Sequence, residues 1–138
     1  MSKRQLSGGA KFSERRRCGK FGEFAIPVAD FDASAGFWTQ VGFEQMFASQ
    51  EPYPWGIFGD GHIVIGLHQQ PEGEVDNHIH FTKPTMTYFA PDMAERITTL
   101  RAAGLSFAAE LPDEQGRVAN AALAAPGDQQ IFLFEGNI

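Results

Sequence analysis

The sequence predicts an α+β fold of two βαβββ modules, whose curved mixed sheets surround a shared cavity. Three observations support this fold class. Apolar residues alternate along short segments bounded by glycine and proline, and helical periodicity appears once in each half of the chain. The order strand, helix, strand, strand, strand is the same in both halves. The length of 138 residues suits one domain built from two similar modules.

The first module is predicted over residues 22–70. Alternating apolar residues over residues 23–29 indicate its first strand. Residues 30–34 then predict a turn and a helix cap, and Gly42 is placed to end the helix. The helix itself is indicated by apolar residues at helical spacing: Ala35, Phe37, Trp38 and Val41. Three strands are predicted after it, over residues 43–47, 55–58 and 62–68, with a hairpin turn at residues 59–61.

The second module is predicted over residues 84–138, after a connector formed by residues 71–83. Residues 85–90 indicate its first strand, and Pro91 suits the first turn of the helix that follows. The apolar stripe of this helix consists of Met93, Ile97 and Leu100. Three strands are predicted after it, over residues 105–108, 118–123 and 130–134.

Residues 1–21 are predicted to form a basic N-terminal arm. The first 22 residues have a net charge of +6, whereas the remainder has a net charge of −12. One interpretation is that the arginine cluster at residues 15–17 binds nucleic acid or another anion. The other is a tail that is disordered or lies on the acidic body of its own or a partner chain. Because no base-reading motif follows and the body is acidic, we do not expect nucleic acid as the main ligand.

The single cysteine, Cys18, excludes an internal disulfide framework and a cysteine-based zinc site. The longest apolar runs are far shorter than the roughly 20 residues that a membrane-spanning helix needs. No apolar secretory segment follows the basic N-terminus. These features predict a cytoplasmic protein that does not associate with a membrane.

Four segments resemble motifs of the vicinal oxygen chelate superfamily, which includes glyoxalase I, bleomycin-resistance proteins, fosfomycin-resistance enzymes and extradiol dioxygenases. They are the segment from Val28 to Trp38, the pair Gly42-Phe43, the segment Arg101-Ala-Ala-Gly-Leu105 and the terminal segment from Ala125 to Glu135. The resemblance spans about residues 22–135. It implies that two modules complete one cavity and that the protein forms a homodimer. Whether the modules pair within one chain or between two chains stays open.

The resemblance also implies four positions for metal ligands, on the first and last strand of each module. These positions fall on Glu23, Gly66, Thr85 and Phe132. Glu23 is the one credible ligand among them, and His68, which shares a strand face with Gly66, is a possible substitute. A divalent metal needs at least three convergent donors. We therefore expect no metal cofactor.

Two arrangements keep a metal site open as an alternative. A β-bulge near Gly127 or Gln130 would turn Glu135 inward and complete a metal set of Glu23, His68 and Glu135. His78 and His80 also alternate on one face of the connector, near Glu74 and Asp76. The competing interpretation of these histidines is an acidic surface connector with polar strand residues.

The aromatic content indicates a pocket for a small molecule. The chain has 13 Phe and two Trp, more than a small core must hold. Aromatic walls with a few polar groups are typical of such pockets and favour flat or cationic ligands. The other interpretation is that these rings fill the interior of the sheet. The predicted ligand-binding residues are Glu23, Trp55, His68, Thr85, Phe89 and Phe132.

The resemblance to bleomycin-resistance proteins implies that this chain binds or sequesters a small aromatic molecule. Glu23 would oppose a positive charge, His68 would form a hydrogen bond, and Trp55 and Phe132 would stack on the ligand. No catalytic residue is assigned. One alternative is a metal-dependent lyase, isomerase or dioxygenase, in which the metal acts as a Lewis acid. The other is a structural or regulatory protein whose basic arm docks elsewhere.

Overall fold

The computed structural model describes residues 16–73 and 78–138. Each half has four strands and one helix in these ranges, in the predicted order. The first half comprises β1 (Lys20–Val28), α1 (Phe31–Gln40), β2 (Glu44–Ser49), β3 (Trp55–Gly59) and β4 (Val64–Gln69). The second half comprises β5 (Thr85–Ala90), α2 (Met93–Ala102), β6 (Phe107–Pro112), β7 (Val118–Ala125) and β8 (Gln129–Glu135).

The eight strands form one mixed sheet in the order β2-β3-β4-β1-β5-β8-β7-β6. Within each half the first strand pairs in parallel with the last one, β1 with β4 and β5 with β8. The two halves are joined where β1 and β5 pair antiparallel at the centre of the sheet. The predicted fold class is thus confirmed. In this structure the two modules of one chain pair with each other.

Helix α1 begins as the sequence predicts, and it buries one of its apolar faces. Asp30 is its N-cap and accepts a hydrogen bond of 3.2 Å from the amide of Ala33. Phe31 is buried, and Ala35 and Trp38 pack on the same cluster, because positions separated by four and seven residues share a helix face. Phe37 and Val41 also follow the helical spacing, but they do not belong to this buried cluster. They lie on another face and are 56% and 55% exposed.

Helix α2 packs on the second half of the sheet as predicted. Its buried residues are Met93, Ile97 and Leu100, and they form one core cluster with Leu123 and Leu133 of the sheet. Helix α1 covers the first half in the same way. Because both helices cover one face of the sheet, the opposite face is left for the connector and the candidate site.

The connector covers part of this opposite face. Ile79 and Phe81 are buried there against Ala25 of β1, Ala122 of β7 and Phe132 of β8. The ring of Phe81 meets that of Phe132 edge-on, with centroids 5.0 Å apart. The connector therefore fills the centre of the face and leaves open space beside β1, β3 and β4.

Part of the predicted basic arm lies on α2. The guanidinium of Arg96 donates a hydrogen bond of 2.8 Å to the carbonyl oxygen of Arg16. It also pairs with Asp92 at 2.8 Å, which lowers the pKa of that carboxyl group. Residues 1–15, which include most of the predicted arm, lie outside the described residues. None of the helices in the described ranges is long and apolar enough to cross a membrane.

Candidate functional site

The side chains of Glu23 and His68 meet above Gly66. In the register of the parallel strands β1 and β4, Gly66 lies opposite Ala25 and His68 lies opposite Pro27. Glu23 reaches forward along the sheet and His68 reaches back, so that His68 Nε2 lies 3.2 Å from Glu23 Oε2. A Cβ atom on residue 66 would lie 1.3 Å from that carboxylate oxygen. Glycine at position 66 therefore makes room for the carboxylate.

A chain of hydrogen bonds links Tyr53, His68 and Glu23. The hydroxyl of Tyr53, from the loop before β3, lies 3.0 Å from His68 Nδ1. Burial, and secondly the charge of Glu23, raise the pKa of Tyr53 to about 12. The phenol is therefore protonated at neutral pH and can donate a hydrogen bond. Because the carboxylate of Glu23 only accepts, we assign the imidazole proton to Nε2, and Nδ1 then accepts from the Tyr53 hydroxyl.

These three side chains lie at the polar side of a cavity of about 470 Å³. Its remaining walls are largely apolar and come from both halves of the chain: Pro52, Trp55, Ile57, Phe89, Phe134 and Ile138. The indole of Trp55 is nearly parallel to the imidazole of His68, with ring centroids 6.0 Å apart and an angle of 6°. Its Nε1 donates a 2.8 Å hydrogen bond to the carbonyl oxygen of Glu51. The indole is thus fixed in place on the wall of the cavity.

A second chamber of about 60 Å³ adjoins the cavity behind the same polar groups. Glu23, Tyr53 and His68 line both spaces, so they lie between them. His78 lines the chamber, with its ring centroid 4.8 Å from that of Tyr53. Burial, followed by the nearby His80 and His68, lowers the pKa of His78. His78 is therefore more strongly biased towards its neutral form than a histidine in water.

The structure places four of the six predicted ligand-binding residues around the larger cavity: Glu23, Trp55, His68 and Phe89. The other two lie elsewhere. Phe132 is 2% exposed and lines the small chamber, because the connector residue Phe81 packs against it. Thr85 donates to the carbonyl oxygen of Lys83 at 2.9 Å and borders a separate recess on the second half. The ligand-binding role of all six residues stays a prediction.

The three residues of the alternative metal set do not converge. Strand β8 pairs with β5 and β7 without a bulge, so Glu135 is on the opposite face from Phe132 and Phe134. Its carboxylate pairs instead with Arg117. No cluster of three or more His, Cys, Asp or Glu suited to a metal exists within residues 16–73 and 78–138. With Glu23 and His68 as the two donors in contact, these residues do not fit a divalent metal.

The connector histidines do not converge with each other. His78 Nε2 lies 3.2 Å from the side-chain oxygen of Gln70, whereas His80 is exposed. Their ring centroids are 6.4 Å apart. Residues 74–77, which include the two nearby acids, lie outside the described residues.

Sequence reasoning missed Tyr53 and the role of two glycines. Tyr53 lies in a loop, and its position between two prolines was the available signal for a constrained side chain. Gly66 was recognised as a position that lacks a ligand, but not as the space for the Glu23 carboxylate. Gly22 has a similar function, because a Cβ atom there would lie 2.4 Å from the ring of Phe89. Each glycine allows another side chain to lie directly against the backbone, and the alternating pattern of a strand does not reveal such a contact.

Comparisons with known proteins bear on the fold. No family model matches the sequence, and no curated protein matches it significantly. The chain is similar in structure to a hypothetical protein, BH1468, from Bacillus halodurans C-125, with a TM-score of 0.61 and 14% identity over 86% of this chain and 95% of that one. It is similar to methylmalonyl-CoA epimerase from Mycobacterium tuberculosis, with a TM-score of 0.60 and 13% identity over 86% and 89% of the two chains.

A third similar structure is that of a protein from a named superfamily. It is a glyoxalase/bleomycin resistance protein/dioxygenase superfamily member from Vibrio splendidus 12B01, with a TM-score of 0.53 and 11% identity over 85% of this chain and 100% of that one. Identities this low bear on the fold and not on the activity. The paired modules, the parallel first and last strands of each module and these likenesses lead to one conclusion. The chain has the vicinal oxygen chelate fold of the glyoxalase/bleomycin resistance/dioxygenase superfamily.

Proposed function

We propose that this protein binds a small, flat organic molecule, neutral or cationic, in the cavity between its two modules. The observation that supports the proposal is the combination of aromatic walls with one buried carboxylate. The cavity of about 470 Å³ falls within the roughly 300–1,000 Å³ that is usual for small-molecule pockets. Such pockets combine apolar walls with a few polar groups that orient the ligand.

Trp55 is the proposed stacking surface. Its ring is held by a hydrogen bond to Glu51 and by the parallel ring of His68, so a ligand that stacks on it need not immobilise it. Phe89 and Phe134 form the wall contributed by the second module. A flat ring placed between these side chains would lose water from both of its faces, which favours aromatic ligands.

Glu23 sets the charge that the cavity accepts. Its residue surface is 7% exposed, and no lysine or arginine lines the cavity among the described residues. A negative charge on the ligand would be repelled there, whereas a positive charge would be attracted by the carboxylate and by the faces of the aromatic rings. Neutral and cationic ligands are therefore favoured over anionic ligands of the same shape. The contacts are stacking and hydrogen bonds, and the proposal includes no cofactor.

The test uses the fluorescence of Trp55. The chain has two tryptophans, and Trp38 lies on α1, where its ring contacts Phe43 with centroids 5.1 Å apart. The Trp38→Phe variant therefore reports on Trp55 alone. We expect its emission to change on titration with quinolinium and naphthalene derivatives, more weakly with naphthalene sulfonate. Removal of the Trp55 ring, in Trp55→Ala, should weaken the binding of the best compound at least tenfold by calorimetry, since buried aromatic anchors are worth about 2 kcal/mol or more.

The matched control is Trp38→Ala, which removes the same kind of ring outside the cavity. It should leave the affinity of that compound unchanged. An equal loss of affinity in Trp55→Ala and Trp38→Ala would indicate general destabilisation of the protein instead of a stacking contact with Trp55. The absence of any response in Trp38→Phe across cationic, neutral and anionic flat compounds would refute the proposed function.

Self-association is a further proposal. Strand β2 is an edge of the sheet, and its residues Met46 and Phe47 are 63% and 53% exposed. An exposed apolar edge strand is a place where a second copy can pair. A homodimer in light scattering that becomes monomeric in Met46→Lys, but not in Gln45→Lys, would support this contact. A dimer unaffected by both substitutions would contradict it.

A further inference from the structure

Glu23 lies at the edge of an apolar cavity, and its carboxylate can accept more hydrogen bonds than it receives. A carboxylate offers about four lone-pair positions. Within the described residues, Glu23 receives one side-chain hydrogen bond, from His68. The side chain of Glu23 is 10% exposed and borders the larger cavity. A molecule that enters the cavity thus meets a carboxylate that is shielded from bulk water and still able to accept a proton.

The carboxylate is also held in one orientation. One carboxylate oxygen lies in the space above Gly66. The imidazole of His68, two residues further along β4, approaches that oxygen on the same face of the sheet. Tyr53 donates to the other nitrogen of His68, which keeps the imidazole proton on the side of Glu23. A base positioned by a second group, which is positioned by a third, is a recurrent arrangement at sites of proton transfer.

We propose that Glu23 is a general base that removes a proton from a flat heteroaromatic or unsaturated compound bound against Trp55. The inference rests on the proposed function, because the substrate occupies the same cavity. The class of substrate follows from the lining. It is a neutral or cationic carbon or nitrogen acid whose ring stacks on the indole while its acidic hydrogen faces the carboxylate. His68 and Tyr53 are positioning residues, since they act through Glu23.

The probe is 5-nitrobenzisoxazole, a flat neutral heteroaromatic with one acidic C–H bond. In the reaction Glu23 takes the proton from carbon 3, and the electron pair of that C–H bond forms the nitrile. The ring N–O bond breaks at the same time, and its electrons leave on oxygen as a phenolate. The product, 2-cyano-4-nitrophenolate, absorbs visible light. The proton on Glu23 is returned to water, so the step needs no oxidant or further reactant.

The experiment compares the wild-type protein with Glu23→Gln, in which the group keeps its shape and loses its basicity. We expect saturable turnover by the wild type, and a loss of about 100-fold or more in kcat/KM in the variant, because general bases contribute about 10²–10⁴-fold. The matched control is Glu95→Gln, at an exposed position on α2, which should retain the wild-type rate. Equal rates in wild type and Glu23→Gln would overturn the inference.

Binding of the probe is measured separately, by quenching of Trp55 in the Trp38→Phe variant. Quenching without turnover would overturn the role of Glu23 and leave the proposed function intact. If other flat compounds bind and the probe is neither bound nor converted, the inference also fails while the proposed function stands. If no compound binds, both fail together.

The split between kcat and KM distinguishes a positioning role of His68 from a merely structural one. His68→Phe keeps a ring beside Trp55 and removes the hydrogen bond to Glu23. We expect kcat to fall about tenfold or more, while the KM of the probe and its quenching of Trp55 stay near the wild-type values. Tyr53→Phe, which removes the hydrogen bond to Nδ1, should lower kcat by less. An unchanged kcat in both variants, or a loss expressed in KM and in weaker quenching, would contradict the positioning role.

Discussion

The carboxylate of Glu23 lies in the space where the side chain of any other residue at Gly66 would begin. The two residues come from neighbouring parallel strands, and a Cβ atom at position 66 would lie 1.3 Å from the carboxylate oxygen. The same Cβ atom would lie 2.8 Å from His68 Nε2. The absence of one side chain thus allows an acid and an imidazole to meet on a face that is otherwise mostly apolar.

The Gly66→Ala variant should lose this arrangement. The new methyl group forces the Glu23 carboxylate away from His68, and overpacking of this kind costs about 1–3 kcal/mol. The free energy of unfolding in urea and the NMR shifts of the His68 ring measure the two effects. The control is Gly36→Ala, an identical change at a helix position where the added Cβ atom would meet no atom within 4 Å beyond the neighbouring backbone of the helix. Alanine should stabilise α1 there. An unperturbed His68 ring in Gly66→Ala would contradict the geometry.

Tyr53 should ionise well above the usual range. In Tyr88→Phe, Tyr53 is the remaining one of two tyrosines, and its absorbance change at alkaline pH should have a midpoint of about 12. Adding Glu23→Gln should lower this midpoint in part, because burial, the larger cause, remains. The raised pKa stabilises the fold fully below about pH 10, the usual value for tyrosine, and the effect is lost as the pH rises through the value in the fold. A midpoint near 10 would show that Tyr53 is exposed to water.

His78 should make the protein less stable in mild acid. Its pKa is lowered in the fold, so the unfolded chain binds the proton more readily. The stabilising effect is complete above the unfolded pKa of about 6.5 and is lost as the pH falls through the lower value in the fold. Melting temperatures between pH 8 and pH 5 should therefore decline less steeply in His78→Asn than in the wild type. His62→Asn, at an exposed turn, is the control and should follow the wild-type curve.

Glu135 should have no effect on the cavity. Its carboxylate pairs with Arg117 on the other face of the sheet. After exposure to a mixture of Mn, Co, Ni and Zn salts and desalting, Glu135→Ala should hold the same amount of metal as the wild type, and it should bind flat compounds with the same affinity. A selective loss of retained metal in this variant would mean that β8 presents Glu135 to the cavity, against the observed register.

Much of the fold could be predicted from the sequence because its patterns are local. The alternation in residues 85–90 and the helical stripe of Met93, Ile97 and Leu100 correspond to the observed strand and buried helix face. The buried face of α1 could not be predicted from spacing, since apolar residues lie on more than one of its sides. Spacing alone could not show that Phe31 is buried while Phe37 is exposed.

The site was only partly predictable, because it depends on contacts between distant segments. Strand parity placed His68 on the same face as Gly66, and the resemblance placed Glu23 and Gly66 in one cavity. The structure brings the side chains of Glu23 and His68 together. It could not show that Phe81 from the connector would cover Phe132, since a connector has no register with the sheet. Nor could it place Tyr53, because the path of a loop over a sheet depends on three-dimensional packing.

The antiparallel pair of β1 and β5 has a consequence for how the site responds to dilution. Both walls of the cavity belong to one polypeptide, so the assembly of the cavity is a unimolecular event. A cavity formed between subunits would disappear as the protein falls below its dissociation constant, by mass action. Here the affinity for a ligand should be the same at nanomolar and micromolar protein, whatever the oligomeric state.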